Sequence, residues 1–347
     1  MNLIDIKSKS LEEVIEEFKN IGEPKFRAKQ VYAWLTKGTM SFNDMSDLSL
    51  KLRDKLSSFY YIANAKIERK LISKIDGTIK YLFKLNDGEF IESVLMRYHH
   101  GYTICISSQV GCKMGCKFCA TGKSGFSRNL TASEMISQIQ SAQMDNNIRI
   151  SNVVLMGMGE PLDNYDNVIK FLKLVSSENG LNIGMRHISL STCGLVDKIY
   201  ELSKEKLQLT LSVSLHAPND EIRNKLMPIN NRFNVDELIK ACRYYVEKTG
   251  RRISFEYAMI SLVNDSDMCA NELVKRLSNM LCHVNLIPVN DSGNLKSGYK
   301  KSSKDRLERF SKILLENGIN VTVRRTLGSD INASCGQLRR TIQDMEG

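Results

Sequence analysis

The sequence predicts an α/β protein: a partial (β/α)6 barrel, preceded by a small helical domain and a connecting short β-sheet. Three observations predict it. From about residue 102 onward, strand-like and helix-like runs alternate and make six βα-like units, the pattern of a parallel sheet. These units occupy about 230 residues, whereas a complete eight-fold barrel typically takes about 250, so a partial or open barrel fits better. Upstream, apolar residues recur at helical spacing to about residue 60 and then switch to strand spacing.

Each element has its own signal. Leu11 to Phe18 and Phe26 to Leu35 carry helical apolar spacing, and residues 1–61 form the helical domain. Residues 62–97 form the connecting segment, where Tyr81 to Leu85 and Phe90 to Met96 flank an Asn86-Asp87-Gly88 turn. Residues 98–328 hold the barrel. Its strand-like runs are 103–107, 152–157, 187–192, 207–215, 253–260, 284–289 and 321–325. Thr131 with Glu134, and Asn234 with Glu237, read as capping signals. Gly180, Gly250 and Gly318 follow helical runs as stops. Residues 329–347 form a separate C-terminal segment.

Bulk composition narrows the class. The chain has 347 residues, 42% hydrophobic, and no apolar run approaching the roughly 18 residues of a membrane span. The start, Met1 to Lys7, lacks the apolar core of a signal peptide, so a cytoplasmic location and no membrane contact are expected. Nine cysteines in such a protein suggest metal-binding or catalytic thiols, not disulfide staples. Lysine plus arginine exceeds aspartate plus glutamate by 49 − 39 = 10, a balance that suits a polyanionic partner.

The chemistry concentrates in Gly111-Cys112-Lys113-Met114-Gly115-Cys116-Lys117-Phe118-Cys119. Cys112, Cys116 and Cys119 have Cys-x3-Cys-x2-Cys spacing with no fourth cysteine nearby. A closed structural metal site takes four protein ligands. Three thiolates on a cubane iron–sulfur cluster leave one iron open, able to hold the amino and carboxylate groups of S-adenosylmethionine. Two other readings stand at this point: zinc with a distant fourth ligand, and inert core thiols. Gly111, Gly115, Gly122 and Gly125 favour an exposed loop over a packed helix. The loop follows the first barrel strand, at the strand ends where such folds place their chemistry.

Further polar groups fall at the ends of later strands. Met156-Gly157-Met158-Gly159-Glu160-Pro161 offers glycines for close approach and a carboxylate for an ammonium. Ser191, Ser214 with Leu215 and His216, and Asn290 end other strands. Each alone reads as an ordinary strand-end residue. Cys335 lies in Asp330-Ile331-Asn332-Ala333-Ser334-Cys335-Gly336, a polar Gly-flanked stretch suited to a reactive thiol. Cys193, Cys242, Cys269 and Cys282 sit in or beside apolar runs and read as packing residues.

The cysteine spacing, with Phe118 before the last thiol, resembles the signature of radical S-adenosylmethionine enzymes. The longer strings resemble the RlmN/Cfr family of RNA adenine methyltransferases. These strings are Cys105 to Cys112, Met156 to Leu162, Ser214 to Asp220, Pro228-Ile229-Asn230, His283 to Pro288 and Asp330 to Leu338. The likeness runs from about residue 20 to 340. It implies a TIM-like partial radical SAM barrel, one [4Fe–4S] cluster with an open iron, and two S-adenosylmethionine molecules per turnover. Gly159-Glu160-Pro161-Leu162 and His216-Ala217-Pro218-Asn219-Asp220 resemble the branch that methylates adenine C2; the Cfr branch methylates C8 and confers antibiotic resistance. Asn290-Asp291-Ser292 departs from the family's usual Asn-Pro.

The resemblance also implies roles. Cys112, Cys116 and Cys119 hold the cluster. Gly159, Glu160, Ser191, Ser214, Leu215, His216 and Asn290 bind S-adenosylmethionine. Cys335 accepts a methyl by displacement, and a 5′-deoxyadenosyl radical then takes one of that methyl's hydrogens. The resulting methylene radical adds to the adenine. Cys105 releases the protein–RNA adduct by forming a disulfide with Cys335, and Glu92 takes the ring proton. Adenine C2 and C8 are electron-poor, which explains the need for radical chemistry. A reducing dithiol must reset the pair. The implied partners are a peptidyl-transferase-centre adenosine of 23S rRNA, an adenosine beside the tRNA anticodon, and an external electron donor such as flavodoxin; a monomer is expected. Lys296, Lys300, Lys301, Lys304, Arg324, Arg325, Arg339 and Arg340 are candidates for phosphate contacts or for solvated surface charge. The rival from another class is a non-catalytic, zinc-stabilised RNA-binding protein.

Overall fold

The structure is a computed structural model that describes residues 3–123, 125–289 and 298–333. A short strand β1 (Ile4–Asp5) is followed by helices α1 (Leu11–Asn20), α2 (Lys25–Thr36) and α3 (Leu50–Phe59), then β2 (Tyr60–Tyr61). Ser10 and Glu13 form a reciprocal capping box that starts α1. Pro24 precedes α2 in extended conformation, and Ser49 caps α3. Ile6, Phe18, Val31, Met45 and Leu56 bury together in a core of their own. β1 pairs with β2 in parallel and ties the two ends of this unit.

Among the described residues, most of the later strands join one ten-stranded sheet. β3 (Ala65–Ile72), β4 (Ile79–Leu85) and β5 (Phe90–Tyr98) come first, then β6 (Gly101–Cys105). β7 (Gln109–Gly111), the one-turn α4 (Ala120–Lys123) and β8 (Phe126–Asn129) frame the cysteine loop. Then follow α5 (Ala132–Asn146), β9 (Ile150–Leu155), α6 (Tyr165–Ser176), β10 (Ile188–Thr192), α7 (Val196–Lys204) and β11 (Thr210–Ser214). The series ends with α8 (Asp220–Leu226), α9 (Val235–Thr249), β12 (Ile253–Met259), α10 (Asp267–Leu277), β13 (Cys282–Pro288), α11 (Lys304–Glu316) and β14 (Asn320–Val323).

The strand order is β14-β13-β12-β11-β10-β9-β6-β5-β4-β3. From β6 to β14 every neighbour is parallel, and six crossovers join the strands, so the sheet is the open barrel that the βα count predicts. The connecting strands do not stand apart. β5 pairs antiparallel with β6, so β3, β4 and β5 continue the same sheet past its first barrel strand. The capping boxes at Thr131 and Asn234 form as the sequence predicts, and Gly250 ends α9 at φ 64°.

Register decides which side chains share the concave face, because paired residues and alternate residues along a strand point the same way. Leu82 pairs with Glu92, Val94 with Cys105, and Cys105 with Val154. Val154 pairs with Ser189, Ser191 with Ser212, Ser214 with Glu256, and Glu256 with Asn285. Glu92, Cys105, Ser191, Ser214, Glu256 and Asn285 therefore share one face. The opposite face carries the helices: Ser93 donates to Gln138 Oε1 at 2.7 Å, and the Tyr81 hydroxyl donates to Asp145 at 2.7 Å, both on α5. The N-terminal unit rests on that same helix. Lys7 Nζ donates to Ser137 Oγ at 2.8 Å, and Gln140 Nε2 donates to the Leu35 carbonyl at 2.9 Å.

Candidate active site

The cysteine loop leaves the sheet just after β6. β7 and β8 pair antiparallel across its base, and Cys112 N–H donates to the Gly125 carbonyl at 2.9 Å. Lys117 N–H reaches the Leu226 carbonyl at 2.9 Å and pins the loop to α8. Met114, Cys116 and Phe118 pack against Cys193, Leu226, Met227 and Ile260. All three thiols are half-buried. Burial pushes the Cys112 thiol up to about 12, and Cys116 higher still. Thiols so placed are poor ligands until a cation draws off their protons.

Among the described residues, no three Cys, His, Asp or Glu side chains converge on a single ion position. The donor set is three thiols on one glycine-flanked loop at the rim of a cleft. That set fits a cluster taking one thiolate per iron.

The cleft has about 1100 Å³ of unfilled space, part of it open to solvent, which suits a nucleoside-sized ligand. Cys112, Cys116, Cys119, Gly159, Glu160, Ser191, Ser214 and His216 all line it. So eight sequence-predicted residues meet in one place. Leu215 lies just behind, fully buried, and takes part through its backbone: its carbonyl accepts from Arg223 Nε at 3.1 Å. Glu92 and Cys105 are buried on the same sheet face but outside the cleft lining. Asn290, Cys335, Lys296, Arg339 and Arg340 lie outside the described residues.

Glu160 is buried, with each oxygen held by one backbone donor. Leu162 N–H reaches one oxygen at 3.0 Å and Cys193 N–H the other at 2.7 Å. Each oxygen keeps further acceptor capacity for a ligand. Burial raises its pKa above the usual carboxylate range, against the pull of those hydrogen bonds. The neighbouring glycines are required by the chain itself. A Cβ on Gly159, at φ 102°, would stand 2.6 Å from Gln109 Cβ; one on Gly157 would stand 2.6 Å from the Ile106 carbonyl oxygen. Gln109 in turn accepts from Glu160 N–H at 2.9 Å.

His216 is buried at φ 57°, a left-handed conformation that costs a non-glycine residue energy. Its Nδ1 accepts from Ala258 N–H at 2.9 Å, which puts the proton on Nε2. Burial first, and the Arg223 charge second, lower its pKa to about 3, so the ring is neutral. The ring meets Phe118 edge-on at 4.8 Å, linking the cysteine loop to the end of β11.

Several residues here were not singled out by sequence reasoning. Arg223 is fully buried, and its guanidinium donates to the carbonyls of Leu215, Ser214 and Cys193 and to Asn230 Oδ1. It braces the ends of β10 and β11 at once. Its one sequence signal was its place three residues past the His216-to-Asp220 string. Cys193 packs against the cysteine loop, as its apolar surroundings suggest, and it also lines the cleft while its N–H holds Glu160. Glu256 lines the cleft too, accepts from Asn285 Nδ2 at 2.8 Å, and lies 4.0 Å from Arg324 Nη1. Arg324 is thus a half-buried cleft residue rather than solvated charge, whereas Lys300, Lys301, Lys304 and Arg325 are exposed.

Similarity to known proteins spans the whole chain. Residues 106–271 match the Radical SAM superfamily, and residues 1–62 match the ribosomal RNA large subunit methyltransferase N-terminal domain. A probable dual-specificity RNA methyltransferase RlmN of Alkaliphilus oremlandii is 57% identical, covering 98% of both chains. Its counterpart in Clostridium tetani is 52% identical over 98% of this chain and 96% of that one. The crystal structure of a radical SAM methyltransferase from Sphaerobacter thermophilus superposes with a TM-score of 0.92 at 43% identity, covering 97% of this chain and 99% of that one.

Proposed function

The chain belongs to the RlmN family of radical SAM RNA methyltransferases, and on that premise we propose that it methylates adenosine C2 in 23S rRNA and in tRNA through a methyl carried on Cys335. It is an RNA methyltransferase that uses an iron–sulfur cluster and S-adenosylmethionine, so the non-catalytic zinc reading is set aside. The observation that carries the finer reading is the convergence of the three-thiol loop with Gly159, Glu160, Ser191, Ser214 and His216 around one cleft, on the sheet face that also bears Glu92 and Cys105.

Cys112, Cys116 and Cys119 would hold the cluster. When bound, it supplies the one-electron chemistry that generates a 5′-deoxyadenosyl radical. Glu160 and Gly159 receive the amino group of S-adenosylmethionine, and Ser191, Ser214, Leu215, His216 and Asn290 hold the rest. Cys335 accepts a methyl from one S-adenosylmethionine, and a second is consumed in each turnover. Glu92 accepts the proton leaving the adenine carbon. Once the adduct has given its unpaired electron to a one-electron acceptor, Cys105 as thiolate attacks the Cys335 sulfur: a sulfur–sulfur bond forms, the sulfur–methylene bond breaks, and the freed carbon takes a proton to complete the methyl; an external donor such as flavodoxin supplies the electron that starts each turnover. The Glu160-Pro161 and Ala217-Pro218-Asn219 strings support C2 over C8.

The test is turnover of RNA deuterated at adenine C2 or at C8, by anaerobically reconstituted protein. Loss of the C2 label in the methylated product, with the C8 label kept, supports the reading. Loss of the C8 label instead assigns the Cfr-type reaction.

A further inference from the structure

One buried cation has no part in the chemistry above. Lys80 on β4 is 3% exposed, and its ammonium lies 2.8 Å from Glu92 Oε1. The same nitrogen donates to the backbone carbonyl of Asn332 at 3.2 Å. Asn332 is three residues before Cys335 in sequence. A buried ammonium is costly unless acceptors meet it. One of these acceptors is the residue assigned as the base, and the other belongs to the segment that leads to the methyl carrier.

The β3–β4 turn grips that same segment. Asp330 accepts from Ser73 Oγ at 2.7 Å and from Lys74 N–H at 2.9 Å. Gly328 N–H donates to Asp76 Oδ2 at 2.8 Å. Gly328, at φ 60°, leaves no room for a side chain: a Cβ would meet Ala333 Cβ at 2.7 Å and Thr78 Cγ2 at 3.1 Å. Ala333 N–H closes back onto the Gly328 carbonyl at 3.0 Å. The segment is thus folded on itself and clamped to the hairpin, with Lys80 at the inner end of the clamp.

We propose that Lys80 is a positioning residue that couples docking of residues 328–333, which precede Cys335 in sequence, to ionisation of Glu92. The inference rests on the assignment of Glu92 as base and Cys335 as methyl carrier. The carbonyl of the docked segment and the Glu92 carboxylate satisfy one ammonium together. Docking holds the ammonium beside Glu92, and the ammonium keeps that carboxylate ionised and able to take a proton. The hairpin clamp, by contrast, acts on segment placement alone.

The experiment uses full-length, anaerobically reconstituted protein. It reads iron content, methyl on Cys335, turnover, and covalent protein–RNA adduct. Lys80→Gln keeps a donor and removes the charge. It is expected to load methyl within threefold of wild type, to turn over at least thirtyfold more slowly, and to accumulate adduct. Lys80→Arg should recover turnover to within tenfold of wild type. Ser73→Ala with Asp330→Asn should lower loading and turnover together, at least tenfold, without adduct. Lys80→Gln combined with Glu92→Gln removes both charges of this ion pair; its turnover should match Glu92→Gln alone, because the two act through one step. Lys80→Gln turnover within threefold of wild type, equal loss of loading and turnover, or additive losses in the double variant would each overturn the proposal. Normal turnover by Glu92→Gln would remove the base assignment and this inference with it. A slow Glu92→Gln beside a normal Lys80→Gln removes this inference alone.

Discussion

Glu160→Gln separates two effects that one carboxylate combines. In the native site its oxygens accept from Leu162 N–H at 3.0 Å and Cys193 N–H at 2.7 Å. Glutamine brings one acceptor and one donor, so one of those buried N–H groups must face another N–H. Leaving a buried donor unpaired costs about 1–3 kcal/mol. That penalty exists with or without ligand, so it lowers stability and leaves affinity untouched. The lost charge matters only when an ammonium is bound. A hydrogen bond to a charged group is worth about 1.5–3 kcal/mol, which is a rise of roughly 10- to 150-fold in the dissociation constant. Equilibrium binding of S-adenosylmethionine to the reconstituted variant, at matched iron content, reads the second effect alone. A dissociation constant within threefold of wild type at full iron content would refute the placement of the amino group on Glu160.

Other consequences follow from the same geometry. His216 has a pKa of about 3 in the folded chain, and about 6.5 when unfolded. The unfolded state therefore gains a proton first on acidification. Stability from this group is whole above pH 6.5 and falls by about 1.4 kcal/mol at pH 5.5. The urea midpoint difference between pH 7.5 and pH 5.5 should shrink in His216→Gln, whose amide oxygen can still accept from Ala258; an unchanged difference would contradict the assignment. Gly159→Ala forces a methyl group to within 2.6 Å of Gln109 Cβ at a φ of 102°. With backbone strain of about 1–3 kcal/mol to relieve, it should displace Glu160 and weaken S-adenosylmethionine binding at least tenfold by the same titration, with iron retained; near-native binding would show that the turn is slack. Cys105→Ala should accumulate a protein–RNA adduct visible as a gel shift, and multiple turnovers by this variant would exclude it as the releasing thiol.

Much of this fold was legible because its signals are local. The capping boxes at Thr131 and Asn234 need only four residues each, and both formed. The seven barrel strands were each found to within a few residues, since buried parallel strands are marked by short apolar runs. The cysteine loop and the strand-end polar residues were readable because spacing and strand ends are sequence properties. Long-range register was not. Nothing in residues 62–97 says that they join the barrel sheet at β6. Arg223 reads as a surface arginine on a short helix until three carbonyls are seen around it. Lys80 sits in a strand whose pattern gives no sign of a buried charge, because its partner Glu92 comes from the next strand over. Gly157 and Gly159 read as room for a ligand, but the nearest atoms are Ile106 and Gln109 of the same chain.

The central claim is that a methyl passes through Cys335 and loses a hydrogen before it reaches the base. Multiple turnovers with S-adenosylmethionine carrying a CD3 group, read by mass spectrometry of the methylated adenosine, test it most directly. The account predicts at most two deuterons in the new methyl group. Retention of all three would mean that the methyl moved intact, and would contradict the account.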